Sequence, residues 1–282
     1  MFKHTTGVQP PLALQYGMFV KAAYDVFEQN ENNLNPSQSD YKSFPSGFKL
    51  LANIQMTDFF GSSRTQKYYG FFATSTTIPG LVVIAIRGTK TWEEWWDDFH
   101  VELVPFPYAP NAGNVAAGFL DIYQSFSIMI PGSTESKPTL VKNKTELPGG
   151  VSLTAPNMTV VMAGHSLGAA LVTLYALDVA AGGKINPSVY TFASPRVGDT
   201  QFANTYNSTV GINYRIWNWP DIVPRLPKDP FDNYDQVKGG YEVDSLLHPL
   251  TVKMDLGCFH AMVTYLFLLG APASILGTSC LV

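Results

Sequence analysis

The sequence predicts an α/β fold with a mainly parallel sheet covered by helices on both faces. Three observations carry this. Stretches of helical apolar spacing alternate with short apolar runs of strand length. One run, residues 158–163, is apolar except for Thr159, as a strand buried on both faces requires. An Ala/Leu-rich helical stretch, residues 167–181, follows it at once. The 282 residues are 46% apolar and only 14% charged, enough to fill a large core and too apolar for disorder.

In chain order, residues 12–29 carry apolar side chains at helical spacing. Residues 68–74 and 81–87 read as two strands joined by a turn at 77–80, and residues 118–126 open a helix. Residues 127–157 are rich in Pro, Gly, Ser, Thr and Lys and form the least regular stretch. Beyond the helix at 167–181, residues 189–193 and 214–217 are further strands. Residues 261–282 hold no charged side chain, but Gly270, Pro272 and Gly277 interrupt them. They read as a core helix over about 260–269 with an irregular tail, not as a membrane span. No internal repeat or Pro/Ser-rich linker divides the chain, so residues 1–282 are expected to form one domain.

A net charge of −4 gives no electrostatic footprint for nucleic acid. Cys258 and Cys280 are too few for a disulfide framework and too far apart for a zinc knuckle; one bridge or two buried thiols are the open alternatives. The first 15 residues lack an apolar h-region. That places the chain in the cytoplasm as it stands, or outside the cell if a leader has been omitted.

The strongest local signal is Gly164-His165-Ser166-Leu167-Gly168. It follows the strand 159–163 and opens the helix at Ala169, the context a nucleophile elbow needs. A strand-to-helix turn this tight holds its central serine in strained dihedrals, and glycines on either side remove side chains that would collide. The α/β-hydrolase fold is the architecture that carries such an elbow. Serine then needs a base, and the base an orienting acid, in the chain order Ser, Asp or Glu, His. Only His248 and His260 follow Ser166. His260, at the start of an apolar helix, is favoured over the loop residue His248. Asp221 follows the strand 214–217 and so lies at the carboxyl end of the sheet. Asp199, Asp229, Asp232, Asp235 and Asp244 read as solvated loop residues.

Four blocks in order make the chain resemble the fungal-type, or class 3, triacylglycerol lipases. They are Ala163-Gly164-His165-Ser166-Leu167-Gly168-Ala169-Ala170, Tyr190-Thr191-Phe192-Ala193-Ser194-Pro195-Arg196-Val197-Gly198-Asp199, Tyr214 to Pro227 around Trp219-Pro220-Asp221, and His260-Ala261-Met262-Val263-Thr264-Tyr265-Leu266. The resemblance implies Ser166, Asp221 and His260 as a catalytic triad acting on an ester or lipid substrate. It also implies an oxyanion hole from the backbone N–H and hydroxyl of Thr89, in Ile86-Arg87-Gly88-Thr89, and the N–H of Leu167. Asp98 falls where the family has an aspartate supporting that hydroxyl, and Arg87 reads as a structural tie. Directly after Thr89, residues 90–96 with Trp92, Trp95 and Trp96 read as a hydrophobic lid, or the remnant of one, turning toward lipid at an interface; the plainer alternative makes Trp95 and Trp96 core anchors and only Trp92 mobile.

The chain departs from the family in three places. Val115-Ala116-Ala117 stands where a histidine precedes the Gly-Phe-Leu block, residues 127–157 are long and polar, and the disulfide pattern of secreted fungal members is missing. Phospholipase A1 and feruloyl esterase share these motifs, and a silent lipid- or protein-binding scaffold is the reading from a different class. No metal or organic cofactor is implied, since no HExxH, EF-hand or dinucleotide pattern occurs.

Overall fold

The computed structural model describes residues 7–60, 63–89, 99–132, 144–183, 185–228 and 233–282. Its centre is an eight-stranded sheet built from β1 (Phe48–Phe60), β2 (Ser63–Ser75), β3 (Leu81–Ile86), β4 (Ser127–Met129), β5 (Thr159–His165), β6 (Ser188–Phe192), β7 (Ile212–Asn218) and β8 (Gly240–Val243). The spatial order is β8-β7-β6-β5-β3-β2-β1-β4. From β3 through β8 every pairing is parallel; β2, β1 and β4 extend the other edge in antiparallel fashion.

The apolar runs follow from burial on both faces. Along β3, Val82, Ile84 and Ile86 enter one core, and Leu81, Val83 and Ala85 the other. Along β5, Val160 and Met162 face one way, Val161 and Ala163 the other. Two-residue alternation on a strand covered on both sides demands apolar residues at every position. One face is covered by α2 (Ala117–Gln124), α3 (Leu167–Ala181) and α4 (Thr200–Thr209). The other is covered by α1 (Pro10–Gln29) and, past the short α5 (Leu256–His260), by α6 (Met262–Leu268). Helix α3 is buried all round except near Asp178 and Ala181, so it shows no amphipathic stripe.

Three elements differ from the sequence reading. The long strand β1 is absent from it: Asn53 and Gln55 alternate with Ala52, Ile54 and Met56, yet both polar side chains are buried. They are satisfied by the Pro36 and Leu34 carbonyls, each at 2.7–2.8 Å, and Asn53 also by Asn35. The stretch 127–157 is not irregular throughout. It begins with the edge strand β4 and holds a hairpin of Glu146–Leu147 and Val151–Ser152; residues 133–143 lie outside the described residues. Lys144 pins this hairpin to α3, with its ammonium 3.1 Å from Asp178 and 4.3–4.5 Å from the ring centres of Tyr123 and Tyr108. The helix expected over 260–269 is broken at Ala261, whose backbone is extended between α5 and α6.

Among the described residues no helix is long and apolar enough to cross a membrane. The tail is instead tied back by a disulfide between Cys258 and Cys280. Closing a loop of 22 residues stabilises the fold by about 3 kcal/mol in the chain-entropy model. Denaturant unfolding with and without reductant should show that loss; an unchanged midpoint would contradict it.

Candidate active site

The sheet delivers Ser166 at the carboxyl end of β5, one residue before α3 begins. Its backbone sits at φ 57°, ψ −126°, a left-handed conformation that costs a non-glycine residue of the order of 1–3 kcal/mol. Neighbouring glycines make the turn possible. A Cβ on Gly164 would lie 2.4 Å from the Gly168 carbonyl oxygen, and one on Gly168 would lie 2.3 Å from that of Ile86. The Ser166 N–H is spent on the Phe192 carbonyl at 2.9 Å, which locks the elbow to β6. The positive end of α3 points at the serine and favours a negative oxygen there.

His260 Nε2 stands 2.8 Å from Ser166 Oγ, and His260 Nδ1 stands 2.9 Å from Asp221 Oδ2. All three side chains are buried, Asp221 at 1% exposure. The structure therefore brings together the three residues selected from the sequence. It corrects the position of His260, which ends α5 rather than starting the following helix. The break at Ala261 turns that residue inward. His248 is exposed and packs edge-on against the Phe267 ring, 5.4 Å between centres.

Asp221 is held on both oxygens. Oδ1 accepts the Val223 N–H at 3.0 Å, and Oδ2 accepts the Tyr265 hydroxyl at 2.7 Å as well as the His260 ring. Tyr265 in turn accepts the Asn218 N–H at 3.0 Å, so the tyrosine hangs between the end of β7 and the acid. Burial and the Asp221 charge raise its pKa well above the ordinary phenol value, so it stays a donor. Asp199 and Asp244 are not simply solvated. Asp199 caps α4 through the Phe202 N–H at 2.7 Å, and Asp244 accepts the Leu246 N–H at 2.9 Å. Asp235 is exposed, and Asp229 and Asp232 lie outside the described residues.

A second, partly buried chain runs beside the triad. The Gly88 N–H donates to the Tyr24 hydroxyl at 2.8 Å; Tyr24 donates to His165 Nδ1 at 2.9 Å; His165 Nε2–H donates to the His260 carbonyl at 2.7 Å. This polarity follows because the His165 pKa is held well below the ordinary value by burial and by the neighbouring His260, leaving a neutral ring with one donor. Tyr24, His165 and Tyr265 were not singled out as functional from sequence. Signals existed for His165, inside the nucleophile block, and for Tyr265, inside the histidine block, but not for Tyr24.

Thr89 follows β3 beside this chain, and its hydroxyl is buried with no hydrogen-bond partner among the described residues. Leu167 is the first residue of α3. Trp92, Trp95, Trp96 and Asp98 lie outside the described residues, and so does the segment read as a lid. Among the described residues no cluster of His, Cys, Asp and Glu could hold a metal ion.

An elbow serine at the centre of a doubly covered, largely parallel sheet defines the α/β-hydrolase fold, and solved structures agree. The lipase of Rhizopus microsporus var. chinensis aligns over 86% of this chain and 76% of its own, with a TM-score of 0.59 at 24% identity. The Rhizomucor miehei lipase propeptide complex aligns over 97% and 83%, with a TM-score of 0.60 at 22% identity. Residues 83–231 match the model of the class 3 lipases, and the chain belongs to that family. It is 35% identical over 167 residues to Phospholipase A1-II 3 of Oryza sativa, covering 53% of this chain and 39% of that protein. To Phospholipase A(1) DAD1, chloroplastic, of Arabidopsis thaliana it is 28% identical over 267 residues, covering 79% and 57%. The chain thus spans 39–57% of the length of these two relatives.

Proposed function

We propose that the chain hydrolyses carboxylic ester bonds of glycerolipids through an acyl-enzyme on Ser166. The observation that carries this is the continuous chain Ser166–His260–Asp221, at 2.8 and 2.9 Å, ending on a strained elbow. His260 takes the serine proton as Oγ attacks the ester carbonyl, and Asp221 stabilises the imidazolium. The oxyanion is received by the N–H groups of Thr89 and Leu167 and by the Thr89 hydroxyl. That hydroxyl has no partner among the described residues, which suits a donor waiting for a transient acceptor. The imidazolium returns its proton to the leaving alcohol, and a water deprotonated by His260 then releases the fatty acid.

A lipid substrate is favoured by apolar side chains beside the triad. Trp219 and Ile222, which bracket Asp221, are exposed, and Leu256 is exposed on the helix that carries His260. The phospholipase A1 names of the rice and Arabidopsis relatives favour a phospholipid over a triacylglycerol. The disulfide suits an oxidising compartment, in line with the secreted alternative. A silent scaffold has no use for a serine strained against an intact base and acid.

The test is fatty-acid release from phosphatidylcholine vesicles with different sn-1 and sn-2 chains, beside emulsified triacylglycerol and soluble phenolic esters. Release of the sn-1 chain is expected. Turnover of phenolic esters alone would remove the lipid from the proposal.

A further inference from the structure

The two peptides that flank Gly88 are each gripped, one from either side. On one side the Gly88 N–H is taken by the Tyr24 hydroxyl at 2.8 Å. On the other, Arg87 Nη1 donates to the Gly88 carbonyl at 2.6 Å. Arg87 is itself fixed, with Nε on the Tyr68 carbonyl at 2.9 Å and its guanidinium carbon 3.4 Å from the centre of the Phe27 ring. The grip sits against the nucleophile: a Cβ on Gly88 would lie 2.9 Å from Ser166 Cβ and 2.6 Å from the Tyr24 oxygen.

A guanidinium at 2% exposure is costly, and backbone carbonyls repay it poorly compared with a paired carboxylate. Its placement has a specific effect. In a trans peptide the carbonyl of one residue and the N–H of the next share a plane and point in opposite directions. Fixing the Gly88 carbonyl therefore fixes the direction of the Thr89 N–H. A positive charge at the carbonyl oxygen also draws electron density through the amide and strengthens that N–H as a donor. A structural tie between loops would be served equally well by a neutral side chain.

We infer that Arg87 and Tyr24 are positioning residues for the oxyanion hole: Arg87 holds the Gly88–Thr89 peptide through the Gly88 carbonyl and polarises it toward the developing oxyanion, and Tyr24 fixes the preceding Arg87–Gly88 peptide through the Gly88 N–H. This rests on the serine-esterase reading above. Neither residue touches the substrate; both act through Thr89.

The experiment compares Tyr24→Phe and Arg87→Lys with the unaltered chain. Tyr24→Phe removes one hydroxyl and keeps the ring, so it carries the test if the buried Arg87→Lys fails to fold. Arg87→Lys keeps the charge but cannot reach two carbonyls with a rigid fork. Rates on a p-nitrophenyl ester are normalised to sites titrated with a phosphonate, so that unfolded protein is not counted. Two ligands of equal chain length are then measured: a trifluoromethyl ketone, which Ser166 converts to an anionic tetrahedral adduct, and the matching alcohol, which binds without reacting.

In each variant kcat is expected to fall about 10- to 100-fold, the scale of a small misplacement at a reacting centre. KM and alcohol affinity should hold, while ketone affinity falls by the same factor as kcat. Equal weakening of ketone and alcohol, or no change in either, would overturn the inference. An unaltered chain that binds the ketone no better than the alcohol and cleaves no ester would overturn the serine-esterase reading itself.

Discussion

Ser166→Ala is expected to lower turnover of any ester substrate by roughly 10⁶-fold, with little change in KM. In the proposed mechanism the serine oxygen forms the covalent bond, and His260 Nε2 stands 2.8 Å from it. The substitution also leaves the fold intact, because the elbow is held by backbone contacts. The Ser166 N–H bonds to Phe192, and the Gly164 and Gly168 contacts involve no serine side chain. Residual activity of about 10³- to 10⁴-fold over water should persist from binding and the oxyanion hole. Initial rates on a soluble p-nitrophenyl ester, with unfolding curves for both proteins, check this. A variant that keeps a tenth of the parent rate would show that another group is the nucleophile.

His260→Ala should cost about as much as the serine change, because the two act as one unit and their losses do not add. His248→Ala should leave kcat within about twofold, as surface changes away from the site usually do. The contrast rests on position. His260 is buried between Ser166 and Asp221, whereas His248 lies on the surface against Phe267. Asp221→Asn should fall between them, about 10⁴-fold down, since the imidazole would lose both its tautomer and its charge partner. Parallel kcat measurements on the three variants decide the assignment; a large loss in His248→Ala with a mild one in His260→Ala would reverse it.

What the sequence disclosed depended on whether the signal was local. Strands β3 and β5 and helix α3 were legible because burial on nearly every side leaves predominantly apolar runs, punctuated by the glycines of the elbow. The triad was legible because chain order and strand ends restrict the choice to a few residues. Strand β1 was not, since Asn53 and Gln55 look solvent-facing until the loop carbonyls of Leu34 and Pro36 are placed over them. The inward turn of His260 depends on an extended Ala261 in a stretch whose composition reads as one helix. The grip on Gly88 could not be read at all. Tyr24 lies on α1, 64 residues from the peptide it holds, and only the fold brings them together.

Ser166 is expected to become covalently acylated during turnover. Incubating the purified chain with a fluorophosphonate and mapping the adduct by peptide mass spectrometry tests this most directly. One label is expected, on the peptide containing Gly164-His165-Ser166-Leu167-Gly168, lost in Ser166→Ala and strongly slowed in His260→Ala. A label on a different serine, or none on a chain that turns over ester, would contradict it.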